Sequence, residues 1–425
     1  MNMTLKVSEK RYYANAILAG LAAFAVYFCM YAFRKPFAVA KFEGLVLFGI
    51  DYKVVLIISQ VLGYAISKFF GIKFISELRP EYRAVGIIGC ISLTGLTLLG
   101  FALVPFPYNF VFMFLNGLPL GMVWGLVFSY LEGRKATELM AAILSSAFIV
   151  ASGVVKSIGK WLMVSHQVSE FWMPFVTGAI FFLPLLLFVW ILNRTPKPTE
   201  EDIALRHIRE PMTSDDRKKL FRSLAPGLIV MIFLYMMLTA FRDFRDNFSV
   251  EVWEELGIHN NAAIFTQSEM PAALFILVLF ALFILIKKNY SAFRTMHIII
   301  TVGLVSIGVV NFMFFSGLLK SPMMWTILTG LGLYAAYFPF NSMLFERLLA
   351  TNRSKGNAGY LIYLADSFGY LGSILVLLYK EFFFGKISYF HFFLYMGYGL
   401  SVISIVSFGF THFYFRNKLK STTIV

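Results

Sequence analysis

Residues 14–40 read ANAILAGLAAFAVYFCMYAFRKPFAVA, and this stretch decides the fold. About 20 mostly apolar residues precede Arg34-Lys35, enough helix at about 1.5 Å per residue to cross most of a bilayer core. Apolar sequence then resumes from Phe37 to Ala40. Two adjacent cations therefore sit inside or near the outer part of a membrane-length segment, where charge is costly and usually faces a cavity or a partner. The run is too long for the apolar core of a secretory signal and no small-residue cleavage site ends it, so it reads as a retained helix.

Working outward, the 425 residues are 59% hydrophobic and 14% charged, against about 45–50% and 25% in a soluble domain. This is the composition of a polytopic membrane protein. Apolar runs fall near 14–40, 52–68, 84–104, 109–130, 139–164, 172–192, 224–242, 262–286, 295–319, 322–344, 357–379 and 388–415. They predict about twelve helices. Alternating segments of about ten residues are absent, which excludes a β-barrel. The net charge of +14 comes mostly from residues flanking the runs, so it speaks for topology and not for nucleic acid. Cys29 and Cys90 give neither a disulfide framework nor metal-ligand spacing.

With the N-terminus in the cytoplasm, the inner segments collect Lys6, Lys10 and Arg11; Lys68, Lys73, Arg79 and Arg83; Arg134 and Lys135; a cluster from Arg194 to Arg222; Arg347, Arg353 and Lys355; and others toward the C-terminus. The outer loops hold few. Both termini are therefore expected in the cytoplasm. The longest polar segment, 194–223, is expected to be a linker between a bundle at 1–193 and another at 224–425. Its end, Thr213 to Phe221, reads as an N-capped amphipathic helix on the membrane surface.

The halves look related. Ala32-Phe33-Arg34 and Ala240-Phe241-Arg242 close the first and seventh runs. Leu115-Asn116-Gly117-Leu118 matches Leu328-Thr329-Gly330-Leu331, and Phe148 with Ser152-Gly153 matches Phe368 with Gly372-Ser373. In this order the matches argue for a parallel duplication. Gly117, Gly121 and Gly125 form a small-residue face for close helix packing.

Twelve helices in a 6+6 repeat resemble the major facilitator superfamily. The segment Gly63-Tyr64-Ala65-Ile66-Ser67-Lys68, continuing to Gly71 and Lys73, resembles the loop that follows helix 2 there, with Ser67 in place of the usual acid. Tyr31-Ala32-Phe33-Arg34-Lys35 resembles the Tyr-x-x-Arg-Lys of the organophosphate:phosphate antiporter branch. That resemblance implies a second phosphate-binding arginine at Arg242 or Arg245, a counterpart of the branch's helix 8 acid at Glu269-Met270-Pro271, and a polar helix 5 position at Lys156.

The residues themselves allow that chemistry. Arginine's planar fork donates paired hydrogen bonds to phosphate or carboxylate and stays charged. One arginine from each half is expected to hold an anion near mid-membrane. The candidate binding residues are Arg34, Lys35, Arg242, Arg245, Lys156 and Tyr31, which lies one turn before Arg34. Arg245 reads either as a substrate contact or as part of an ion-pair cluster with Asp243 and Asp246. Glu269 and Asp366 are candidates for ion pairing or proton coupling. No catalytic or metal constellation, cofactor motif or phosphate-cradling loop is present, so a non-enzymatic protein coupled to another solute or to protons is expected. The expected partners are a small anionic substrate and the lipid bilayer, with no nucleic acid, in a monomer of a bacterial inner membrane. The alternative is a transporter-like sensor that binds an anion and signals to a partner.

Overall fold

The computed structural model describes residues 2–77, 79–132, 134, 136–196, 202, 214–284, 286–352 and 358–423. Hydrocarbon offers no water to backbone amides and carbonyls, so each spanning stretch closes its own hydrogen bonds as a helix. The first half gives α1 (Asn2–Tyr31), α2 (Tyr52–Glu77), α3 (Arg83–Leu103), α4 (Phe110–Phe128), α5 (Thr137–His166) and α6 (Met173–Asn193). The second gives α7 (Ser214–Asn247), the short α8 (Ser249–Glu255), α9 (Ile264–Ile284), α10 (Asn289–Phe315), α11 (Pro322–Ser342), the short α12 (Leu344–Asn352), α13 (Ala358–Phe384) and α14 (Tyr389–Thr423). Strands β1 (Val46–Leu47) and β2 (Ile50–Asp51) form a small antiparallel hairpin between α1 and α2.

Among the described residues, 10 helices are long and apolar enough to cross a membrane. The protein is an all-helical, multi-pass membrane protein. The runs predicted near 52–68 and 262–286 are helical too, as α2 and α9, but fall outside those ten.

The chain divides into two compact units, Met1–Arg206 with Ile258–Ala273, and His207–Gly257 with Leu274–Val425. The start of α9 thus groups with the first unit, where the sequence placed it in the second bundle. Within the first unit α1 packs against α5 and α6, and α3 packs against α4 and α6. Within the second, α7 packs against α13 and α14, and α10 packs against α11 and α14. The same pairings recur in the same order, as a parallel duplication requires.

The seam of α2 on α4 is set by glycine. A Cβ on Gly63 would stand 2.1 Å from the Phe114 carbonyl oxygen, and one on Gly117 would stand 2.2 Å from that of Gln60. A Cβ on Gly121 would stand 2.7 Å from the Cβ of Ser67. Bare backbone at these positions lets the two helices touch.

Three expectations are corrected. The first run is not helical to residue 40: α1 ends at Tyr31, and a turn leads into a 3-10 segment, Pro36–Val39. Pro36 has no amide to donate and its ring crowds the preceding turn, which stops the helix. The segment from Gly63 to Lys73 is not a loop. It lies inside α2, which continues to Glu77, because its glycine and serine serve the α4 seam. Lys68 lies within the same helix and is buried, 8% exposed. The polar stretch from Ser214 does not form a separate surface helix either; it is the first part of α7. Most of the predicted linker, together with Lys135, Arg353, Lys355 and the side chain of Lys73, lies outside the described residues.

Candidate functional site

In the first unit the break after α1 creates the site. Arg34 and Lys35 are 8% and 6% exposed, enclosed by protein rather than reaching outward. Ending the helix here frees carbonyls that need donors. Two amide side chains supply them. Gln60 Nε2 donates to the Arg34 carbonyl at 3.1 Å, and Asn116 Nδ2 donates to the Phe33 carbonyl at 3.3 Å. Gln60 Nε2 also donates to Asn116 Oδ1 at 2.8 Å, so α2 and α4 hold the break as one network.

The Arg34 guanidinium carbon lies 4.2 Å from the centroid of the Tyr64 ring and 5.9 Å from that of Tyr31. Such faces attract a cation without neutralising it. The ammonium of Lys68 stands 5.5 Å from the same Tyr64 ring and 5.7 Å from Trp124.

A second cluster of the first unit lies where α5 meets the start of α9. Lys156 is 1% exposed, with its ammonium 5.7 Å from the ring of Phe265. Gly153 admits Glu269: a Cβ there would stand 3.1 Å from the Glu269 Cβ. The hydroxyls of Ser157 and Thr266 share a hydrogen bond of 2.7 Å. Lys156 follows Gly153 by about one turn, as Glu269 follows Phe265, so the cation and the acid line one seam.

In the second unit Arg242 donates to Asp243 Oδ1 at 2.6 Å, and its guanidinium carbon lies 4.3 Å from the Tyr337 centroid. The other oxygen of Asp243 accepts from Ser373 at 2.7 Å. The hydroxyls of Tyr337 and Tyr235 are 3.2 Å apart, and Tyr235 donates to Asp366 Oδ1 at 2.6 Å. A buried hydrogen-bonded tyrosine pair therefore connects the aromatic face under Arg242 to the intramembrane carboxyl of Asp366. Arg245 donates to the Thr326 carbonyl at 3.1 Å and lies 5.8 Å from the Tyr334 ring.

The structure thus brings Arg34 and Tyr31 together, sets Lys156 and Glu269 along one α5–α9 seam, and joins Arg242 and Asp366 in one network. The sequence offered Asp243 as part of a cluster with Arg245 and Asp246, as one of two alternatives for Arg245; in the structure Asp243 meets Arg242. Gln60, Asn116, Tyr64, Lys68, Tyr235 and Ser373 were not picked out as functional. Gln60 and Asn116 carried a signal, since amides are rare inside apolar runs. Tyrosine carried little, there being 21 in the chain.

Solved structures share this architecture. The nucleoside transporter NupG matches with a TM-score of 0.61 and 15% identity, over 92% of this chain and 98% of its own. A peptide transporter of the POT family, in complex with sulfate, matches with a TM-score of 0.63 and 12% identity, over 96% of this chain and 95% of its own. A D-xylose-proton symporter matches with a TM-score of 0.59 and 13% identity, over 92% and 97%. The fold is that of the major facilitator superfamily. The chain belongs to DUF5690, a family of unknown function whose model matches residues 36–418. No curated protein matches the sequence.

Proposed function

We propose that the protein is a secondary active transporter of a small anionic metabolite, an organophosphate or a carboxylate, moved by alternating access. The observation that carries this reading is that each unit holds a guanidinium against a tyrosine face: Arg34 on Tyr64, and Arg242 on Tyr337. A ring face attracts a cation without discharging it, and a guanidinium suits an oxyanion because its planar fork donates paired hydrogen bonds. Arg34 and Arg242 are the proposed ligands, with Tyr31, Lys35, Lys156 and Arg245 as further contacts. Glu269 and Asp366 are the proposed coupling groups, for antiport or for proton-coupled uptake.

The fold supports this reading, because the solved proteins that share it are transporters of nucleosides, peptides and a sugar. They favour translocation over a receptor role, and one of them was solved with an oxyanion bound. The lysine and arginine bias supports cytoplasmic termini; a monomer in the inner membrane is part of the same proposal.

A thermal-shift screen tests the substrate class, because a ligand of the folded state raises its melting temperature. Phosphate, phosphate esters or carboxylates should stabilise the purified protein, and cationic controls should not. Absence of a shift with every anion overturns the reading.

A further inference from the structure

We propose that Glu170, in the turn between α5 and α6, is a positioning residue of the anion site. Its carboxylate clasps the chain beyond the α1 break and so sets Arg34 and Lys35 against Lys156. This role presupposes the reading of those three residues as anion contacts, and adds one that holds them without touching the anion.

From Ala32 to Phe42 the chain is not α-helical, so part of its backbone needs partners from elsewhere. At the α1 end, Gln60 and Asn116 meet the Arg34 and Phe33 carbonyls. In the middle, Lys53 Nζ donates to the Ala38 carbonyl at 2.8 Å. At the far end, the amides of Lys41 and Phe42 donate to the two carboxylate oxygens of Glu170, at 2.9 and 3.0 Å. Amide bonds to an ionised carboxylate are stronger than those to a neutral acceptor.

The far end is gripped in a second way. Phe42 has φ +53°, a left-handed conformation that a bulky residue keeps only where its surroundings impose it. Its buried ring lies 5.2 Å, centroid to centroid, from that of Phe171, the residue after Glu170, and 5.9 Å from that of Tyr52. Glu170 and Phe171 thus hold Phe42 by its amide and by its ring.

The turn carrying the clasp is itself anchored. As α5 ends, Gln167 takes φ +53° and the Val168 amide donates to the Leu162 carbonyl at 3.1 Å, which closes the helix. As α6 begins, the Met173 amide donates to the Ser169 carbonyl at 2.9 Å. The clasped segment also rests on α5. A Cβ on Gly159 would stand 3.3 Å from Val39 Cγ2 and 3.4 Å from the Pro36 Cβ. Gly159 lies three residues after Lys156 and shares its face of the helix. The stretch that begins with Arg34-Lys35 is therefore seated about one turn along α5 from Lys156, and Glu170 keeps it seated. A site whose support loosens loses affinity even when every ligand remains.

The test uses the full-length protein, with inorganic phosphate and succinate as probes, and hydrogen exchange of the peptide covering residues 36–42. Glu170→Ala should speed exchange of the Lys41 and Phe42 amides in the ligand-free protein. It should also weaken whichever probe the wild type binds by about fivefold or more. Glu170→Gln keeps one acceptor oxygen and should fall between Ala and wild type in both readouts. Thr177→Val removes a hydroxyl that donates to the Met173 carbonyl within α6, and should bind as wild type. That control separates lost position from lost stability. A folded Glu170→Ala protein with wild-type affinity overturns the proposal, as does a Thr177→Val protein weakened to the same extent. Should Glu170→Ala not fold, wild-type affinity in Glu170→Gln overturns it. A folded wild type that binds neither probe overturns the anionic reading itself.

Discussion

Arg34 shows how one residue's surroundings define its chemistry. A guanidinium packed on tyrosine gains attraction while remaining a cation. Arg34→Ala should remove anion-induced stabilisation, and Arg34→Lys should retain only a fraction, because an ammonium cannot give paired bonds in a plane; ligand-dependent melting reads both. Arg242 is placed differently, since Asp243 already meets its charge at 2.6 Å. Breaking a buried pair on one side costs about 3–5 kcal/mol. Asp243→Asn should therefore lower the melting temperature of the ligand-free protein markedly, and orthophosphate should recover part of the loss by meeting the orphaned guanidinium. Recovery no greater than in the wild type would count against Arg242 as an anion ligand. Arg34-Lys35 was legible in the sequence because charge inside an apolar run is rare. Tyr64 was not, because 18% of the chain is aromatic and nothing local distinguishes a ring under a cation from a ring in the core.

Elements were legible to the extent that their causes are local. Apolar runs announced the helices. What holds the break was not legible, since Gln60 and Asn116 reach carbonyls 26 and 83 positions away in the chain. Asn116→Leu should leave the Phe33 carbonyl without this donor and Gln60 without one of its two acceptors. Each buried polar group so orphaned costs about 1–3 kcal/mol. The variant should melt lower and bind anion more weakly, because the segment carrying Arg34 loses its tether. The α2–α4 seam makes a sharper prediction. Gly117→Val would drive side-chain carbon into the Gln60 carbonyl, so this variant should yield little monodisperse protein on size exclusion, whereas Gly89→Ala, with open space around it, should behave as wild type. The continuation of α2 through Gly63–Lys73 was misread because glycine, serine and lysine together look like a turn. Only the partner helix reveals that the glycines serve contact.

For the whole molecule, composition and the repeat of Ala-Phe-Arg gave the fold class, and the recurring helix pairings bear out a duplicated architecture. The unit boundary near α9 was not legible, because grouping depends on contacts that no run of sequence encodes. The proposed transport belongs to this scale. If Asp366 carries the coupling proton through Tyr235 and Tyr337, Asp366→Asn should lose uptake driven by a proton gradient and keep exchange of solute across the membrane. Gradient-driven uptake that survives in Asp366→Asn removes the residue from that role. The central claim, a negatively charged cargo whose binding depends on Arg34 and Arg242, is tested most directly by counterflow of a labelled organophosphate or carboxylate into proteoliposomes. Saturable uptake, competed by other anions but not by a neutral nucleoside or sugar, and lost in folded Arg34→Ala and Arg242→Ala, is the predicted result. Uptake unchanged in both variants, or competed only by uncharged solutes, would contradict it.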